Sequence, residues 1–235
     1  MCGRYTLTTP AGMGLPDRFG VPDDPEPDTL ERFNVCPTEK IAVVASDDGG
    51  RRILAPRWGL VPPWARELKG FQPINARAET IATKAPFAEL FARSDRRCLV
   101  LADGWYEWLR PENPKGDRVP FRYTVDGGEL FAFAGLWRRN RIGGELVHSA
   151  LVLTTAANRV CAPVHDRMPV VLAGPDEEAA WLEGADDPEL LAPLADARTT
   201  ARPANPAVNR AGVEGPELIE PPPPEREPAQ QRLRL

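Results

Sequence analysis

The chain has no Cys-x-x-Cys pair, and only two histidines, His148 and His165, among its 235 residues. Its four cysteines, Cys2, Cys36, Cys98 and Cys161, are scattered. That spacing argues against a zinc knuckle or a thioredoxin-like redox site. Long apolar runs are missing too. Nothing approaches the roughly 18 uninterrupted apolar residues of a membrane helix, and the first ten residues lack a basic stretch followed by an apolar one. The expected protein is soluble and cytoplasmic, a compartment in which structural disulfides are rare. Cys98, inside the apolar run CLVLADGW, reads as a buried thiol packing like a small hydrophobe, and Cys36 and Cys161 take the same reading.

Lysine is scarce: of 29 basic residues only Lys40, Lys69, Lys84 and Lys115 are lysines. Arginine suits bidentate contact with phosphate, although codon preference accounts for the excess equally well. The net charge of −5 is unevenly spread. Residues 1–170 hold 23 basic and 21 acidic side chains, whereas residues 171–235 hold 6 and 13. The acidity belongs to the C-terminal part, so the sum does not exclude a polyanionic partner for the rest.

A chain of this length can bury one sizeable core. Short β-rich runs, GRYTLTT, IAVVAS, RCLVLADGWYEW, PFRYTV, LFAFAGLW, HSALVLTT and MPVVL, are separated by Gly, Pro and Asp turn signals. Helical patterns are fewer: PFAELFARS, with Phe87, Leu90 and Phe91 on one face; DEEAAWLEG, acidic at its start and stopped by Gly184; and the weaker PELLAPLADA. Strands outnumber helices and do not alternate with them. The expected fold class is α+β, a single domain with a mainly antiparallel, curled or barrel-like sheet and peripheral helices. The domain is expected to span residues 2–213. The remainder, 214–235, containing EPPPPEREPAQQRLRL, is too rich in proline and charge to pack and reads as a disordered tail.

Five stretches carry groups capable of chemistry. Cys2 is small enough for an aminopeptidase to remove Met1, which leaves a thiol and a free α-amine on one residue. The amine titrates near about 8 and the thiol near about 8.5, so both are partly deprotonated around neutrality. An aldehyde meeting this 1,2-aminothiol forms a Schiff base with the amine, and the thiol closes on it to a five-membered thiazolidine. A cysteine at position 2 also arises by chance. In PINARAET, Asn75, Arg77 and Glu79 recur at period two; if extended, they share one face able to position an amine and hold a phosphate, or to form a local Arg–Glu pair on an exposed strand. In DGWYEWL, Glu107 lies between aromatics. Desolvation there would raise its pKa into the range of a proton donor and acceptor, while a cross-strand Arg pair is an equal alternative. In PVHDRMPVVL, His165 occupies a loop-like segment before a strand, and Arg167 can reach a phosphate or form a surface ion pair. His148 reads as a strand residue. In RWGLVPPW, a rigid Gly-Pro turn can hold Trp64 out as a stacking platform, while Trp58 reads as core.

The stretches MCGRY, RWGLVPPW, INARAET, DGWYEW, TTAAN and HDRMPVVL occur in this order over about residues 2–213. Together they resemble the SOS response-associated peptidase (SRAP) family, whose members protect abasic sites in single-stranded DNA by crosslinking to them. The resemblance implies that Cys2 is the nucleophile, that Asn75 positions its amine, and that Glu107 and His165 shuttle protons. Glu107 would also serve reversal of the crosslink, and His165 a strand-cleaving β-elimination (lyase) step. Arg77 and Arg167 would grip the phosphates flanking the lesion, with Arg4 a weaker candidate, and Trp64 would stack on bases. It implies no cofactor and no metal. The partner would be single-stranded DNA bearing abasic sites, met by a cytoplasmic monomer acting on chromosomal DNA, with no role for a membrane. Two other readings use the same residues: an N-terminal-nucleophile peptidase cutting by acyl transfer at Cys2, and a noncatalytic module binding single strands through Trp64, Arg77 and Arg167.

Overall fold

The runs rich in β-branched and aromatic residues form strands. The computed structural model describes residues 2–10, 14–22, 26–47, 50–110 and 118–221. In chain order the strands are β1 (Tyr5–Leu7), β2 (Arg32–Val35), β3 (Val43–Asp47), β4 (Gly50–Leu54), β5 (Arg57–Trp58), β6 (Asn75–Arg77), β7 (Arg97–Ala102), β8 (Gly104–Leu109), β9 (Val119–Val125), β10 (Phe131–Ile142), β11 (Glu145–Ala156), β12 (Arg167–Pro169), β13 (Val171–Leu172) and β14 (Thr199–Pro203). Short helices α1 (Leu15–Phe19), α2 (Ala88–Phe91) and α3 (Pro175–Glu183) punctuate the series.

One sheet is antiparallel throughout, in the order β14-β9-β8-β1-β2. The other follows β12-β11-β10-β7-β3-β4, with β13 beside β10 and with β5 and β6 parallel to β11. The α+β class and the antiparallel bias are as expected. Neither sheet closes into a barrel, and the two parallel pairings with β11 are a departure.

RCLVLADGWYEW reads as one strand in the sequence, yet the chain changes sheet within it. Asp103 causes the break. Its buried carboxylate accepts hydrogen bonds from the Thr6 hydroxyl, the Thr8 amide and hydroxyl, and Arg122 Nη2, which ties β1, β8 and β9 together. The next residue has to be glycine, because a Cβ on Gly104 would lie 2.8 Å from the Tyr123 carbonyl oxygen and 2.9 Å from Arg122 Nε.

Aromatic rings join the two sheets. Tyr5 meets Trp58 and Phe133 edge-on at 5.3 and 5.9 Å, and Trp105 meets Phe131 and Phe133 at 6.1 and 6.2 Å. All five are buried. Edge-to-face pairs add to burial itself. Phe133 touches aromatics of both sheets, and Phe133→Ala is expected to cost about 3–5 kcal/mol in urea unfolding. A loss within the roughly 0.5 kcal/mol of a surface change would contradict this packing.

The helices are shorter than the sequence suggests. PFAELFARS gives only α2, with Phe87 and Leu90 buried, and PELLAPLADA gives a 3-10 turn at Pro188–Leu191. α3 ends at Gly184 with φ 86°, as its composition indicates. Packed chain also extends past residue 213. Glu214 accepts from Arg32 and from the Phe33 amide, and Leu218 is buried with Tyr106, Ala204 and Val208. The rest of the expected tail, 222–235, lies outside the described residues, as does Met1. Among the described residues no helix is long and apolar enough to cross a membrane.

Candidate active site

Cys2 sits just before β1 and is 0% exposed. Asn75 opens β6 and donates from Nδ2 to the Cys2 carbonyl oxygen at 2.7 Å. The amide cannot drift, because the preceding Ile74 carbonyl accepts from Trp58 Nε1 and from the Val152 amide, each at 3.0 Å. Asn75 Oδ1 is buried and has no partner among the described residues. An acceptor is therefore held beside the residue whose amine the sequence singles out.

Glu107 enters from β8 of the other sheet and is 4% exposed. Burial pushes its carboxyl up to about 7. Its charge acts on Cys2, Cys161 and Tyr123. Tyr123 stacks on Trp105 at 5.2 Å, and its hydroxyl is buried without a partner among the described residues. Burial holds the Cys2 thiol well above the ordinary thiol range, and Glu107 adds to this. The expectation of a partly ionised thiol is thereby corrected: in this site it is a neutral S–H that needs a base. Cys36, Cys98 and Cys161 are buried free thiols, as expected.

His165 lies in the connection between β11 and β12. Asn158 of the TTAAN stretch shapes that connection, donating to the Leu194 carbonyl and the Thr199 hydroxyl, each at 2.9 Å, and accepting from the Val160 and Cys161 amides. His165 Nδ1 lies 3.0 Å from both the Arg167 amide nitrogen and Asp166 Oδ1. Burial lowers its pKa; Asp166, 3.0 Å from Nδ1 and largely exposed, pulls the other way with less effect. His148 is a strand residue packed edge-on to Trp137.

Arg77 and Arg167 flank the end of β11, opposite Thr154 and Ala156 respectively. Arg77 is exposed. Arg167 binds both carboxylate oxygens of Glu79 and donates to the Thr154 carbonyl at 2.6 Å. Glu79 does not continue the face of Asn75 and Arg77, because β6 ends at Arg77 and a 3-10 turn begins at Ala78. Arg4 is drawn away from this cluster. Its guanidinium donates to Asn34 Oδ1 and the Val208 carbonyl, each at 2.7 Å, and lies 5.7 Å from the Trp108 ring centre, on the outer face of the five-stranded sheet. Trp58 is buried, while Trp64 is 64% exposed at the tip of its Pro-Pro turn.

A cavity of about 500 Å³ adjoins Asn75 and Arg77 and is lined also by Phe71, Thr80, Lys84 and Phe87. Phe71 is exposed at its lip. Phe71 follows the Gly70 turn, its only local sequence signal, and no pattern in the sequence marks Lys84.

A profile of the family described as SOS response associated peptidase (SRAP) matches residues 1–211. The chain belongs to this family. "Abasic site processing protein YoqW" of Bacillus subtilis (strain 168) is 36% identical over 228 residues, 94% of this chain and 99% of that protein. "Abasic site processing protein YedK" of Escherichia coli (strain K12) is 31% identical over 235 residues, 94% and 100% of the two chains. A solved protein from Bacteroides thetaiotaomicron shares the SRAP fold with a TM-score of 0.79 at 22% identity, over 94% of this chain and 99% of its own.

Proposed function

We propose that this SRAP protein binds single-stranded DNA and crosslinks to abasic sites through Cys2, protecting the lesion during the DNA damage response. The observation that carries the reading is the buried pairing of Cys2 with Asn75, faced by a carboxyl that titrates near neutrality. The names of its relatives, abasic site processing proteins, agree with it.

In this reading Met1 is removed and Asn75 Oδ1 accepts from the freed Cys2 amine, turning its lone pair toward the substrate. His165 and Glu107 move the proton that opens the sugar hemiacetal. The neutral amine adds to the exposed aldehyde carbon, and the carbinolamine hydroxyl leaves as water after taking a proton from the Glu107 carboxyl, which leaves a protonated imine. The resulting Glu107 carboxylate then takes the thiol proton as sulfur attacks the imine carbon, closing the thiazolidine. Running these steps backwards makes Glu107 the acid for reversal. A proton lost from the carbon next to the imine, with His165 as base, would instead expel the 3′ phosphate in a lyase reaction. Arg77 and Arg167 hold the flanking phosphates, Arg167 by exchanging Glu79 for the strand, and Trp64 stacks on a base. A monomer suffices, and no role is assigned to residues 222–235. On a chain of net charge −5, binding depends on this local basic track and weakens steeply with salt.

Intact mass spectrometry before and after incubation with a single-stranded oligonucleotide carrying one abasic site tests the reading. The expected starting mass lacks Met1, and the product equals protein plus oligonucleotide minus one water, with the adduct on Cys2. Processed protein that binds the strand but forms no adduct would leave the noncatalytic module. Cleavage of a peptide substrate that requires Cys2 would favour the peptidase.

A further inference from the structure

A second cavity, of about 480 Å³, lies where β9 meets β14 at the edge of the five-stranded sheet. Strand register determines which groups face it. Thr200 stands opposite Thr124 and Arg202 opposite Arg122. Residues two apart on a strand share a face, so all four side chains rise on one side of the pair. The alternate residues point the other way: Tyr123 and Val125 are buried, and Ala201 packs against the main core. Tyr123 pairs with Trp105, two residues before Glu107, so that other side is the one that carries Glu107. The cavity is therefore on the opposite face of the sheet from the Cys2 cluster. Its rim is apolar, formed by Pro203 and by Ile219 and Pro221, which follow the buried anchor Leu218.

Arg122 and Arg202 are the charged side chains lining this cavity among the described residues. Like charges directly opposite one another on paired strands repel, and only one of the two is compensated. Arg122 Nη2 donates to the buried Asp103 carboxylate at 3.2 Å and to the Thr6 hydroxyl at 3.1 Å. Arg202 is exposed and has no hydrogen bond or ion pair among the described residues. The floor thus holds one uncompensated positive charge, with a second guanidinium rooted about 5 Å away across the strand pair, and two threonine hydroxyls alongside. A guanidinium presents its donors in a fork that matches the two oxygens of a carboxylate. One excess charge matches a monoanion, and the proline-lined rim matches an apolar body. The volume falls within the range of about 300–1,000 Å³ typical of small-molecule sites, which combine apolar walls with a few convergent polar groups.

We propose that this cavity binds a small organic carboxylate, its oxygens held by Arg202 and Arg122 and its apolar body against the rim. The site is distinct from the one that meets DNA, and the five-stranded sheet stands between them.

Benzoate, a carboxylate on a flat apolar ring, is the probe, and benzamide is its uncharged counterpart. In a ¹H–¹⁵N NMR titration of the full chain at constant ionic strength, benzoate is expected to give saturable shifts centred on the amides of β9 and β14, and benzamide none. Arg202→Gln should weaken benzoate about tenfold, the worth of a charge-assisted hydrogen bond. Its melting temperature should match the wild type, because Arg202 has no partner to lose. Arg202→Lys, which keeps the charge without the fork, should fall between the two. A saturating oligonucleotide with a nonreactive abasic analogue should leave the benzoate shifts in place. Absence of saturable shifts, equal shifts with benzamide, or unchanged affinity in Arg202→Gln overturns the assignment. Displacement by the oligonucleotide also overturns it, since the cavity would then belong to the path of the strand. Inorganic phosphate that displaces benzoate at lower concentration than benzoate itself needs would make this a phosphate site instead. A wild type that ignores benzoate, beside a Glu225→Gln, Glu227→Gln variant that binds it, would exclude an outside ligand and name the acidic segment after Pro221 as the occupant.

Discussion

Cys2→Ala is expected to abolish the denaturation-resistant adduct with an abasic oligonucleotide while leaving noncovalent binding of the strand in place. Alanine is also small enough for Met1 to be removed, so the variant keeps an α-amine beside Asn75 Oδ1. It should therefore still form an imine, and borohydride reduction during the reaction should trap it as a secondary amine of protein plus oligonucleotide. Without reductant the imine hydrolyses and nothing survives denaturation. This divides the two functions of residue 2: the amine makes the bond and the thiol makes it last. The neutral, buried thiol of the wild type fits that order, since sulfur becomes a nucleophile only after a base takes its proton. A stable adduct formed by Cys2→Ala without reductant would show that another residue is the nucleophile.

Glu107→Gln is expected to slow crosslinking about 10²–10⁴-fold, the usual worth of a positioned general acid–base, and to stabilise the fold at alkaline pH. In the native protein this carboxyl titrates at about 7, whereas in the unfolded chain it titrates at about 4.3. Between those values the native state holds the extra proton, so stability from this group is complete below about pH 4.3 and is lost as pH rises through 7. The side chain is 4% exposed, so solvent screening removes little of the effect. The difference corresponds to about 4 kcal/mol. The isosteric, uncharged glutamine has no such dependence. Urea unfolding at pH 4 and pH 8 should give a Glu107→Gln advantage that is larger at the higher pH. Parallel stability profiles for the two proteins would mean that Glu107 does not carry the shifted proton, and unchanged crosslinking rates would remove it from the mechanism.

The parts of the site that were legible in the sequence are those fixed by local chemistry. Cys2 is defined by its position, Asn75 by a short strand pattern, Glu107 by its aromatic neighbours, and Trp64 by the prolines that hold it out. What escaped depends on contacts distant in sequence. RCLVLADGWYEW gave no sign that Asp103 would gather Thr6, Thr8 and Arg122 and send β7 and β8 into different sheets. Arg4 lies two residues from Cys2, yet Asn34 and Val208, far along the chain, turn it to the opposite face. Glu79 keeps the period of Asn75 and Arg77 but falls after the strand has ended. The order of residues 214–221 comes from Leu218 finding a slot beside Tyr106, which composition cannot show.

The switch of sheets at Asp103 also determines how the chemistry responds to its scaffold. Cys2 and Glu107 belong to the five-stranded sheet, whereas Asn75, Arg77 and Arg167 belong to the nine-stranded one. On the proposed mechanism, the distance between the Cys2 amine and the groups that would aim it is therefore a dimension of the aromatic interior, set by how Tyr5, Trp58, Trp105 and Phe133 interleave. A ring lost from that interior would detune the alignment while both sheets stayed folded, so crosslinking speed acts as a gauge of the spacing between the two layers.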